Sequence, residues 1–290
     1  MHPAPSVIVF TAFSGLGFGL LFWLGIGLPE VTGWTAFAMF FIGYGLAVVG
    51  LLASVFHLQN KKNAIKAFSQ WRSSWLSREG IASVVALLVM APFAIGEVFF
   101  GTDIQPLGGI AALLCIGTVF TTSMIYTQLK SVPRWHSPLT PPLFLLFSLG
   151  GGALLAGQAR LAAVLLVVLG IVQVIAWIQS DAKGATGNSS LESATGLGRI
   201  GKTRQLEPPH TGENYLLKEM AYTVARKHAL KLRVIALICA VILPVLLIVV
   251  FPVTHLLAVP LIALHLVGLF AARWLFFAEA QHVMSLYYGK

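Results

Sequence analysis

Residues 51–80, LLASVFHLQNKKNAIKAFSQWRSSWLSREG, leave one apolar run at His57, cross a basic link bearing Trp71 and Trp75, and enter a second apolar run after Arg78, Glu79 and Gly80. The two runs are each about 20 residues long, the length at which a helix crosses roughly 30 Å of hydrocarbon. The same alternation of greasy run and short link recurs along the chain. Spans are expected at about 7–28, 34–56, 81–100, 107–129, 143–157, 161–178, 234–251 and 254–277, the fifth being short.

The composition agrees. Of 290 residues 57% are hydrophobic and 10% charged, with a mean hydropathy of +0.85, too little charge to cover the surface of a soluble domain. The runs lack the period-two alternation of a membrane β-barrel. The expected fold is all-α: one polytopic membrane helix bundle over 1–290, with eight transmembrane helices.

The net charge of +9 does not point to nucleic acid, because the basic residues lie between spans, where they set topology and meet lipid headgroups. An even number of spans puts both termini on one side, together with the links after spans two, four and six. That side collects all the lysines and arginines except Arg160, so both termini are expected to be cytoplasmic. Cys115 and Cys239 lie inside apolar runs and form no cluster, which argues against an iron–sulfur or zinc centre in this chain. Met1-His2-Pro3-Ala4-Pro5 lacks the positive region of a cleaved signal peptide, and the first run is expected to remain as a span.

Two links stand out. In 58–78, Ile65, Phe68, Trp71 and Trp75 recur at helical spacing with Lys62, Lys66 and Arg72 between them. This reads as an amphipathic segment in the headgroup plane, the alternative being a solvated basic loop with belt tryptophans. The loop 181–230 begins rich in Gly, Ser and Thr and ends in NYLLKEMAYTVARKHALKLR, a helical pattern that feeds span seven; its length suits the docking of a soluble partner. Within it, Gly196 to Thr203 matches a phosphate-binding loop literally. It lacks the preceding strand, and Pro208-Pro209 follow, so nucleotide binding is not expected.

Few ionisable residues lie in or beside the spans. His57 ends span two and Glu79 begins span three at the same surface. An imidazole and a carboxylate so placed suit a quinone, one binding a ring oxygen and the other exchanging the coupled proton. The bland alternative is Ser77 as an N-cap, Glu79 as a first-turn carboxylate and His57 as one more interfacial polar group. His265 is at mid-span, where a polar group is costly; no second histidine lies at its depth, which disfavours a bis-histidine haem. Glu97, near the other end of span three, is either a proton shuttle or an end cap. Arg273, Trp274, Glu279 and His282 gather at the end of span eight, as snorkelling anchors or as a wall of the same cavity. A secondary transporter would need a midplane polar site, for which His265 and Gln173 are the hints. A purely structural tether is the remaining alternative.

The eight-span pattern and the stretches LLASVFHLQNKKNAIKAFSQWRSSWLSREG, VPRWHSPLTPPLFLL, LEPPHTGENYLLKEMAYTVARKHALKLR and ARWLFFAEAQHVMSLYYG resemble the membrane-anchor subunits of dimethyl sulfoxide reductase-type molybdoenzymes, the DmsC family. In appearance they are nearest the SoeC-type branch that anchors cytoplasmic sulfite dehydrogenases. The resemblance implies a non-catalytic subunit without haem or iron–sulfur cluster. It would sit in the cell (inner) membrane, tether an iron–sulfur subunit and a molybdopterin catalytic subunit on the cytoplasmic face, and exchange electrons with menaquinone or ubiquinone. The family's quinol-site histidine and glutamate fall on His57 and Glu79, beside Arg78; Arg273, His282 and His265 are secondary candidates.

Overall fold

The computed structural model describes residues 3–56, 65–66, 68–184, 187, 189–207 and 228–288. They form an all-α bundle of eight apolar helices: α1 (Pro5–Gly25), α2 (Gly33–Phe56), α3 (Trp75–Phe100), α4 (Gln105–Thr127), α5 (Thr140–Leu155), α6 (Ala159–Lys183), α7 (Ala229–Val250) and α8 (His255–Ala278). Seven are long and apolar enough to cross a bilayer. The 16 residues of α5 reach about 24 Å, so α5 is shorter than the hydrocarbon layer.

The bundle is built around α1, whose apolar window is 72% buried, against 28% for α2, α6 and α8. Its sequence GLGFGLLFWLG explains why. Lipid gives apolar side chains no reason to prefer protein, so helices associate where small residues let backbones approach. A Cβ on Gly19 would run into the Ser148 carbonyl of α5, and one on Gly25 would lie 2.7 Å from the Gly108 oxygen of α4. Hydrogen bonds reinforce the contacts: Ser148 Oγ donates to the Gly15 carbonyl at 2.6 Å and Trp23 Nε1 to the Leu149 carbonyl at 2.9 Å.

Three helices contain a π-turn, at Phe10–Ser14 in α1, Gly96–Phe100 in α3 and Ile238–Ile242 in α7. A π-turn disturbs the backbone ladder, and in α7 a neighbour answers it: His265 Nδ1 of α8 lies 2.9 Å from the Ala240 carbonyl. Gly268 lets α8 approach closely at this level, where a Cβ would meet Ala240.

Consecutive helices do not all pair along their length. α2 meets α3 from mid-bundle to the end away from the basic links, through Phe40 against Phe93 at 6.1 Å and the Tyr44 hydroxyl donating to the Leu87 carbonyl at 2.8 Å. Toward the basic end α2 packs on α1, Gly50 lying against Ser14, and α3 packs on α4, Trp75 against Phe120 at 6.3 Å.

The third span begins at Trp75, six residues before the boundary expected from sequence. Ser74 is its N-cap, without a side-chain hydrogen bond, and Ser77 and Glu79 lie inside the helix and buried. Ser77 is therefore not the cap. The reason is composition: Trp75, Leu76 and the buried faces of Ser77 and Glu79 continue the helix into a stretch whose polarity suggested a link. Residues 65, 66 and 68 are in 3-10 conformation and residues 69–73 form turns; residues 57–64 and Ala67 lie outside the described set, as does the expected helix within 208–227. The Gly196–Thr203 segment caps a five-residue helix with Gly196 at φ +70° and continues as a short 3-10 turn; residues 200–207 are not helical.

Candidate functional site

The end of the bundle that carries the basic links holds most of the polar architecture. Arg134 from the α4–α5 link, Asp181 at the end of α6, Arg233 at the start of α7 and Glu279 just past α8 form a closed ring of alternating charge. Arg134 donates to Glu279 Oε2 at 3.0 Å and to Asp181 Oδ1; Arg233 donates to Glu279 Oε1 at 2.9 Å and to Asp181 Oδ2 at 2.6 Å. The ring is electrically balanced and forked at both arginines, the geometry in which charge-assisted bonds are strongest. The Glu279 side chain is 7% exposed and Asp181 45%, so the ring has one foot in the protein and one in water. Burial raises the Glu279 pKa, against the pull of Arg134 and Arg233.

Beneath the ring is a cavity of about 50 Å³, lined among others by Ser137, Thr140, Gln173, Ser180 and Arg273. That is room for a few waters, not for a quinone ring. Arg273 is 3% exposed; its guanidinium sits 3.7 Å over the Phe144 ring, and its Nε has no hydrogen-bond partner. Tyr126 of α4 lies within electrostatic reach of both Arg273 and Glu79. It is boxed by Trp135, Phe144, Phe276 and Phe277, all with ring centroids within 5.7 Å. Trp135 is fixed in turn by its Nε1, which donates to the Phe276 carbonyl at 2.7 Å.

Glu79 is 5% exposed, and its Oε1 has no hydrogen-bond partner; neither has Ser77 Oγ, two residues earlier on the same helix. A buried carboxylate with an open valence is what a proton-exchanging guest or ordered water would engage. Helix α3 holds Glu79 there by its N-terminal turn and by Trp75 on Phe120.

The sequence-predicted residues thus divide. Glu79 and Arg273 are both within electrostatic reach of Tyr126. His57 lies outside the described residues. Arg78 is occupied elsewhere: Nε donates to the Trp71 carbonyl at 2.9 Å, a terminal nitrogen to that of Arg72 at 2.7 Å, and the guanidinium stacks 4.3 Å over Trp75. It pins the link onto α3. His282 Nδ1 accepts from the Met284 amide at 3.1 Å in a local turn, and burial lowers its pKa. His265 clamps the α7 π-turn, its other nitrogen facing Gly151.

Glu97 lies at the opposite end of α3, beside Asp103 and Glu30. No group of three or more His, Cys, Asp or Glu suited to a metal ion occurs among the described residues. The two midplane hints of a transporter are accounted for, since His265 holds two helices together and Gln173 lines the basic-end cavity.

Sequence reading did not find the ring or Tyr126. Arg134 and Arg233 registered only as topology charges and Asp181 only as the start of a loop. The four come from positions far apart in the chain, and no spacing rule links them.

The fold and its polar end define a multi-pass, all-helical membrane protein whose charges are organised at one surface. A family model described as DMSO reductase anchor subunit (DmsC) matches residues 1–289, and the chain belongs to that family of membrane anchors. A subunit of the sulfite dehydrogenase of Allochromatium vinosum is 30% identical over 99% of each chain. No solved structure matches the chain.

Proposed function

We propose that this anchor subunit joins an iron–sulfur electron-transfer subunit and a molybdopterin catalytic subunit to the cell membrane, and passes electrons between the iron–sulfur subunit and the quinone pool at a site that includes Glu79 and His57. The observation that carries the reading is Glu79 itself, a buried carboxylate with an open oxygen near one membrane surface. A structural tether has no use for such a group, which is costly to bury. When bound, quinone supplies two-electron, two-proton chemistry; the chain's contribution is to place a proton-exchanging carboxylate against apolar walls.

The sulfite dehydrogenase relationship and the side of the membrane favoured by the basic links support a cytoplasmic partner that oxidises sulfite and delivers electrons to quinone. The two faces of the ring-bearing end, and the loops around it, would meet the soluble subunits. The decisive test is quinone-linked turnover in membranes holding the assembled complex. His57→Ala and Glu79→Gln are each expected to lower it at least about a hundredfold, with the soluble subunits still co-purifying. Unchanged quinone-coupled rates in both variants overturn the assignment.

A further inference from the structure

The cavity beneath the charged ring is walled by α5, α6, α8 and the α4–α5 link, and its lining carries one charge that the ring does not answer. Arg134 and Arg233 are each paired with Asp181 and Glu279, and both oxygens of Glu279 are engaged by them. Arg273 stands outside that circuit. It is 3% exposed, it lines the cavity, and none of the described carboxylates pairs with it. Three guanidiniums therefore face two carboxylates at this end, an excess of one positive charge. A charge buried without a counter-charge is among the costliest features a fold can carry, and an arginine cannot escape by losing its proton.

The surroundings of Arg273 meet part of that need. Its guanidinium centre lies 3.7 Å from the ring centroid of Phe144 and 5.2 Å from that of Phe147. Aromatic faces attract a cation, but the five N–H donors of a guanidinium call for acceptors, and Nε is buried without one. The rest of the wall offers donors. Ser137 Oγ accepts from the Leu139 amide at 3.3 Å, which leaves its own proton to give, and the Gln173 amide also faces the space. Thr140 is already committed, donating to the Trp135 carbonyl at 2.8 Å. Glu279, the acid on this wall, is held by two arginines. A fixed cation, a hydroxyl and a side-chain amide thus surround about 50 Å³ with nothing in it to receive them.

We infer that this cavity is a binding site for one small monovalent anion of the size and charge of chloride, with Arg273 as its counter-charge and Ser137 and Gln173 as neutral donors. Size and charge select the ligand together. A halide ion is little larger than a water molecule, and the cavity admits it whole; a phosphodiester headgroup does not fit. A second negative charge would exceed the single cation left over. Water alone fills the space and leaves the charge unanswered. The bound anion ties Arg273 of α8 to the α4–α5 link and to α6, which carry Arg134 and Asp181 of the ring, and so locks the basic end of the bundle. The site does not involve Glu79 and stands apart from the quinone reading.

Thermal unfolding of the full-length chain, purified in detergent and dialysed into sodium gluconate, is the test. Chloride or bromide then replaces gluconate stepwise at constant ionic strength, so that screening is fixed and the size of the anion changes. Either halide is expected to raise Tm saturably by about 5 °C. Arg273→Gln removes the unanswered charge and should abolish the rise. Gln173→Glu places a carboxylate inside the cavity. It should hold in gluconate the Tm that the parent reaches only in saturating chloride, and should gain nothing further from chloride; this variant decides the matter if Arg273→Gln does not fold. A parent Tm equal in gluconate and chloride overturns the site. So does a chloride-induced rise of full size in either variant, or a Gln173→Glu protein less stable than the parent in gluconate.

Discussion

Glu79 and Glu97 make a controlled comparison inside one helix. They are 18 residues apart on α3, five helical turns, so they point from the same side of the helix at levels about 27 Å apart. Both are buried, at 5% and 8% exposure. Their neighbours differ. Glu97 faces other carboxylates: Asp103 and Glu30 line the same hollow, while Gln105 donates to Asp103 at 2.7 Å. Glu97 is not among the buried polar side chains left without a partner. Glu79 has an open oxygen. Burial alone does not mark a site. A buried carboxylate with an open oxygen does.

The comparison can be broken most sharply by neutralising each carboxylate in turn. Glu79→Gln is expected to abolish quinone-linked turnover, whereas Glu97→Gln, which replaces one hydrogen-bonding group by another, should change it less than about twofold. Equal losses in steady-state assays would remove the distinction between the two ends.

The next effect concerns stability. Glu279→Gln leaves two arginines facing one carboxylate in a mostly buried setting, and should cost about 3 kcal/mol, seen as a lower Tm of the detergent-solubilised protein. Asp181→Asn, at the wet side of the same ring, should cost about 1 kcal/mol. At the far end, Glu30→Gln should fall within about 0.5 kcal/mol of the parent. A Glu30 variant as damaging as the Glu279 variant would mean that the ring is not what holds the basic end together.

The smallest effect is on pH. Burial holds His282 below the ordinary histidine range, so the folded turn favours its neutral form. The hold of the turn Val283–Tyr288 is therefore full above roughly pH 6.5 and weakens as pH falls below it. The protection of amides in residues 283–288, taken relative to intrinsic exchange at each pH, should fall as pH drops below about 6.5, and His282→Asn should flatten that dependence.

The fold was legible because its information is local. Apolar runs of bilayer length separated by Pro29, Pro106 or Gly157 declare helices and turns without reference to the rest of the chain. The start of α3 was misjudged because Ser77, Arg78 and Glu79 read as link residues, although the helix already encloses them. The packing order was not legible. The glycines of α1 mark it as a close-packing helix, but which helices they admit depends on Gly108, Ser148 and Gly152, far along the chain. The site was half legible: Glu79 stands out as one of ten acidic residues and sits at the edge of a span. Tyr126 does not stand out, being one aromatic residue at the end of an apolar run, and the ring is a tertiary object whose members each look like an ordinary helix-end charge.

The central claim is that quinone binds at the basic end, beside Glu79, and not at the acidic end beside Glu97. A photoactivatable quinone analogue, cross-linked in membranes carrying the assembled complex and mapped by peptide mass spectrometry, tests it directly. Labelling of α3 within residues 75–83, suppressed by excess quinone, is the expected result. Competable labelling confined to residues 97–105, with residues 75–83 untouched, would contradict the account.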